Sequence, residues 1–114
     1  MGQFDTRAMY GEGRAIIDGQ APTADVELVA ATTGFRVVVD YVLITVGTAA
    51  ATLFFESGTT TKVSPTFHVG INGALEINEP RFVTAGGEAL TFTSVGVNSV
   101  TAVYVRYHKE PTAQ

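Results

Sequence analysis

The segment FRVVVDYVLITV, Phe35 to Val46, restricts the fold more than any other stretch of the chain. Its Val, Ile and Thr side chains branch at Cβ, so a helix would crowd each against the preceding turn and scatter apolar groups all round the cylinder. Extended backbone accommodates them, and the run is predicted as one long strand. Side chains alternate across a strand, which splits the run into two rows. Phe35, Val37, Val39, Tyr41 and Leu43 form the row assigned to the core. The other row holds Val38, Val42, Ile44 and Val46, broken by Arg36 and Asp40. A strand with one wet face should not be apolar on both sides.

Something must cover the second row. An intramolecular lid, from the N-terminal segment or a long loop, is one solution; another subunit is the other. Burying such side chains is worth roughly 1.5–3 kcal/mol each, and a closed homo-oligomer hides the same patch of every chain around one axis. The row Arg36, Val38, Asp40, Val42, Ile44 and Val46 is therefore predicted as a subunit interface. Asp40 is expected to pair with Arg36, of its own strand or of a neighbouring chain, and so to fix register.

Similar apolar runs recur at 14–18, 25–31, 51–57, 64–71, 74–78, 88–95 and 99–108, separated by turn residues. Asn72-Gly73 supplies the positive φ angles of a tight hairpin, and Ser57-Gly58 and Gly86-Gly87 permit similar reversals. Pro65 and Pro80 cannot donate to a ladder and mark strand starts, edges or bulges. About eight short strands at this spacing read as an all-β, jelly-roll-like antiparallel sandwich. Residues 1–20 differ, with glycines, no clear period, and Phe4, Met9 and Tyr10 isolated among polar neighbours. They read as an arm, either flexible or ordered on a partner. The domain is placed at 21–110, with a short tail at 111–114.

Composition narrows the function classes. A chain of 114 residues fits one domain with one core. Without cysteine there is no disulfide framework and no thiolate, which is compatible with synthesis in a reducing cytoplasm. A charged fraction of 16% leaves few groups to keep a monomer's surface wet. The net charge of −4, with scattered basic residues, opposes nucleic-acid binding. No apolar run is long enough to span a bilayer, and no signal peptide is indicated. Gly2 with Thr6 matches a myristoylation pattern short enough to arise by chance.

No catalytic constellation stands out. His68 and His108 lie in different predicted strands and read as surface histidines, without the converging ligands a zinc site needs. There is no nucleophile elbow and no phosphate loop at Gly86-Gly87. Glu76, Asn78 and Glu79 offer oxygen ligands for calcium, but a solvated hydrogen-bonding face explains the same residues more simply. With no Trp, a glycan platform would rest on Tyr10, Tyr41, Tyr104 or Tyr107, of which the last three fit packing better. Neither a catalytic role nor a cofactor, metal or small-molecule substrate is expected.

The succession ESGTTT, FHVGINGALEI, RFVTAGGEALTFTS and VTAVYVRY resembles the small capsid decoration, or cement, proteins of tailed bacteriophages. The matching positions are Ser57-Gly58-Thr59, Asn72-Gly73, the run Phe82–Leu90 with Thr84, Gly87, Glu88, Ala89 and Leu90, and Tyr104; coverage runs from about Glu27 to Tyr107. The resemblance implies a jelly-roll-like sandwich that sits as a homotrimer on the outer surface of the head and bridges major capsid proteins. It implies no catalytic residues. By analogy, the arm would lie on the shell through Phe4, Arg7, Met9, Tyr10 and Arg14. A receptor- or glycan-binding domain of a phage fibre or spike is the alternative that shares this architecture.

Overall fold

The computed structural model describes residues 12–18, 26–95 and 100–112, and among them every regular element is a strand. The strands are β1 (Glu12–Asp18), β2 (Val26–Val29), β3 (Phe35–Val46), β4 (Ala51–Ser57), β5 (Thr61–Lys62), β6 (Phe67–Val69), β7 (Ala74–Asn78), β8 (Leu90–Val95) and β9 (Val100–Pro111). They form two antiparallel sheets, one ordered β1-β9-β3-β7 and the other β2-β8-β4-β5, with β6 paired to the other end of β4. The all-β sandwich read from the turn spacing is the fold observed. Residues 12–18, assigned by composition to the arm, instead pair with β9 as an edge strand, from Glu12 opposite His108 to Asp18 opposite Ala102. Gly13 permits this approach, since a Cβ there would lie 2.7 Å from the Tyr107 hydroxyl.

The two apolar rows of β3 resolve through a bulge. Against β9, Val39 pairs with Tyr107 and Tyr41 with Arg106, leaving Asp40 as an extra residue without a partner on that strand. One inserted residue reverses the alternation beyond it. Val37 and Val39 face the core before the bulge; Val42, Ile44 and Val46 face it afterwards, each no more than 5% exposed. The predicted interface row is thus corrected. Val42, Ile44 and Val46 belong to this chain's own core, while Tyr41 and Leu43, expected inside, turn to the half-exposed outer face. Val38 lies opposite His108 and forms a bridge with Val83, which leaves it 1% exposed. Arg36 and Asp40 remain on the outer face. No second subunit is required to hide these valines.

The core lies between the sheets. Val103 and Val105 of β9 join the β3 row, and from the facing sheet Leu53, Phe55, Leu90 and Phe92 close against them. Phe55 meets Phe92 edge-on at 5.5 Å and Phe82 at 5.7 Å, geometries that favour aromatic pairs.

The turn chemistry is partly as expected. Gly58 (φ 64°) and Gly87 (φ 75°) adopt the left-handed conformation in their reversals. Asn72-Gly73 does not close a hairpin, however, because β6 belongs to one sheet and β7 to the other. Only Asn72 has positive φ (55°), and the Gly73 amide donates to the Gly70 carbonyl in a corner that carries the chain between sheets.

Candidate functional site

After β7 the chain does not leave its sheet. The Glu79 amide donates to the Asp40 carbonyl at 2.8 Å, Arg81 to Val39 at 3.1 Å, and Thr84 to Val37 at 3.0 Å. Residues 79–84 thus run along the first half of β3, and the bulge at Asp40 meets a kink at Pro80. Glu79 and Arg81, on either side of that proline, both adopt left-handed backbone (φ 51° and 59°). Such a conformation costs a non-glycine residue roughly 1–2 kcal/mol. Backbone strain of this kind concentrates where side chains must be aimed for function. Here both side chains border an open cavity of about 590 Å³ on the outer face of the sheet.

The floor of the cavity is an ordered charge chain. His108 is 4% exposed rather than on the surface as its sequence context suggested. Its Nδ1 lies 2.7 Å from Asp40 Oδ2 and its Nε2 2.9 Å from Glu110 Oε2. Both ring nitrogens of His108 are thus engaged by carboxylate groups, and the ring is pinned between β3 and its own strand. Glu110 Oε1 in turn accepts from Arg36 Nη2 at 2.8 Å and Nε at 3.2 Å. The bond from His108, followed by that from Arg36, holds the Glu110 carboxyl below its ordinary range. The expected Asp40–Arg36 pair therefore does not form. The bulge turns Asp40 towards His108, and Arg36 pairs with Glu110, the residue opposite it on β9.

Asn78, Glu79, Arg81 and Arg106 complete the walls. The Arg106 guanidinium lies 4.8 Å over the Tyr41 ring, and Tyr41 meets Tyr104 edge-on at 5.9 Å. Tyr41 Oη donates to Glu76 Oε2 at 2.6 Å, a bond that pushes the phenol pKa up. The three carboxamide and carboxylate groups considered for calcium are thereby separated, Glu76 being engaged by Tyr41 while Asn78 and Glu79 line the cavity. Among the described residues no group of three or more His, Asp or Glu is arranged to hold a metal ion. Arg14 of β1 is exposed and sits directly opposite Arg106, a like-charge cross-strand pair that is unfavourable by itself.

Several sequence candidates lie elsewhere. His68 is exposed, with Nδ1 3.2 Å from Thr52 Oγ1 on the other sheet. Tyr107 packs against the core. Phe4, Arg7, Met9 and Tyr10 lie outside the described residues. Sequence reasoning did not assemble the cavity. One signal was available, since His108 and Glu110 are two apart on a strand and share a face. Asp40 reaches them only through the bulge, which no local pattern announced.

No known protein family matches the sequence. No curated protein matches it either. Among solved structures, the chain is similar to a subunit of the Bacillus endospore appendages, described as a novel family of disulfide-linked pili. That likeness has a TM-score of 0.52 at 15% identity and covers 90% of this chain and 88% of the other. A second, with a TM-score of 0.41 at 12% identity, is to the virus-like particle of the extra small virus of the giant freshwater prawn Macrobrachium rosenbergii, covering 91% of this chain and 82% of that one. The first is a likeness of fold; the second is too distant to carry an argument.

Proposed function

We propose that this chain is a non-catalytic structural subunit of an assembled surface, and specifically a decoration (cement) protein that binds the outside of a phage head as a homotrimer and bridges its major capsid proteins. The observation that carries this reading is the edge strand β1. Edge strands present a row of backbone donors and acceptors to a neighbour; among the described residues β1 ends its sheet, and it lies within residues 1–20, the arm assigned to the shell. The pilus subunit of similar fold supports the reading to the extent that it, too, is a building block of an assembly. Self-association no longer rests on the valines of β3, which are internal; it rests on the edge strand β1.

A trimer with three equivalent weak contacts attaches firmly through effective concentration, and binding only the assembled shell stabilises that shell by linkage. Purified protein mixed with undecorated, expanded heads should co-sediment and raise the temperature at which they release DNA. A chain without residues 1–11 should bind more weakly while keeping its melting temperature. Absence of co-sedimentation, or a monomer at micromolar concentration by light scattering, would count against the role.

A further inference from the structure

The cavity at Asp40, Pro80 and His108 contains more than a surface network needs. Its carboxylates Asp40 and Glu110 are already engaged by His108 and Arg36. By contrast, Arg81, Arg106, Asn78 and Glu79 make no side-chain hydrogen bond or ion pair with the described residues, although all four face the same open space. Among the charged lining groups left unengaged, Arg81 and Arg106 stand against Glu79 alone, which leaves one positive charge in excess. Arg14, opposite Arg106, strengthens the positive field at one rim.

We infer that this cavity binds a hydroxylated monocarboxylate, a sugar acid of the uronate type. The carboxylate would take the forked N–H groups of Arg81 and Arg106, which suit planar bidentate recognition. Ring hydroxyls would donate to Glu79 and accept from the Asn78 amide. The volume, about 590 Å³, lies within the range of small-ligand sites. Other chemistries fit less well. A simple aliphatic acid leaves Asn78 and Glu79 unanswered. A phosphate dianion exceeds the single excess charge and meets Glu79. An apolar ligand finds only polar and charged walls. The buried His108 between two carboxylates, and the strained backbone at Glu79 and Arg81, hold the site in shape before the ligand arrives. The inference does not depend on attachment to a shell.

The test is titration of the full-length, isotope-labelled protein with glucuronate, followed by amide and guanidinium NMR shifts, with acetate, glucose and inorganic phosphate as parallel arms. Glucuronate should produce saturable shifts around Asn78, Arg81 and Arg106, with acetate about tenfold weaker and glucose without effect. Arg106→Gln and Arg81→Lys should each weaken glucuronate about tenfold, the second because lysine keeps charge but loses the fork. Lys62→Gln, on the other sheet, should change nothing, and melting temperatures would confirm that all three variants fold. Equal responses to acetate, phosphate and glucuronate would reduce the site to a general cationic patch and overturn the inference. So would unsaturable shifts, or glucuronate binding undiminished in Arg106→Gln and Arg81→Lys.

Discussion

Adjacent residues Val42 and Leu43 of β3 should respond to substitution in opposite ways, and the difference measures the bulge at Asp40. Val42 is 0% exposed between the sheets, whereas Leu43 is half-exposed on the outer face opposite Glu76 of β7. Val42→Ala removes two buried carbons, worth about 1.6 kcal/mol at ~0.8 per carbon, and the cavity left behind raises the loss to about 2–3 kcal/mol. Leu43→Ala removes more carbon but leaves no enclosed void, so its cost should be about 1 kcal/mol. In urea, where slopes run about 1–3 kcal/mol per molar, the Val42 variant should unfold at a midpoint lower by about 1–2 M. The lysine pair sharpens the contrast. Val42→Lys buries an ammonium group with no partner, a cost of several kcal/mol on top of the lost packing, against a total stability of about 5–15 kcal/mol. It should not fold. The lysine of Leu43→Lys can lay its stem along the outer face towards Glu76, so that variant should stay within about 1 kcal/mol of the parent. Far-UV circular dichroism during urea titration reads all four variants. A greater loss for Leu43→Ala than for Val42→Ala would mean that alternation runs straight through Asp40, and the register described here would be wrong.

Three further outcomes follow from single contacts. Thr84 Oγ1 accepts the buried Val37 amide at 2.9 Å, so the isosteric change Thr84→Val should cost about 1–3 kcal/mol, measured by the same titration. Ser94 is 7% exposed and its hydroxyl has no hydrogen-bond partner among the described residues; Ser94→Ala should leave the melting temperature unchanged or raise it, and a clear drop would reveal a missed partner. Glu110 has its folded pKa lowered by His108 and Arg36, so its contribution is present above the ordinary carboxylate value near 4.5 and is lost as pH falls through the lower folded value. Glu110→Gln should therefore make the urea midpoint less sensitive to pH between about 5 and 3, and an unchanged slope would remove Glu110 from the acid response.

Much of the fold was legible because its signals are local. Branched residues between turn signals placed β3, β4 and β7 at their observed bounds. Gly58 and Gly87 occupy left-handed positions that their reversals demand. Asn72-Gly73 looked like a hairpin because the chemistry of a turn is local, whereas the sheet that each flanking strand joins is not.

What the sequence determined by itself is the class: the density of Cβ-branched residues excludes helices, and the spacing of turn residues yields short antiparallel strands in two layers. What only the tertiary structure decided is which way each side chain faces. A period-two pattern carries its parity along the chain until one extra residue shifts it, and whether Asp40 is that residue depends on β9 and the 79–84 segment pairing on either side of β3. The same shift moved Val42, Ile44 and Val46 from a supposed interface into the core and carried Asp40 to His108. The charged cavity exists because those distant strands meet there.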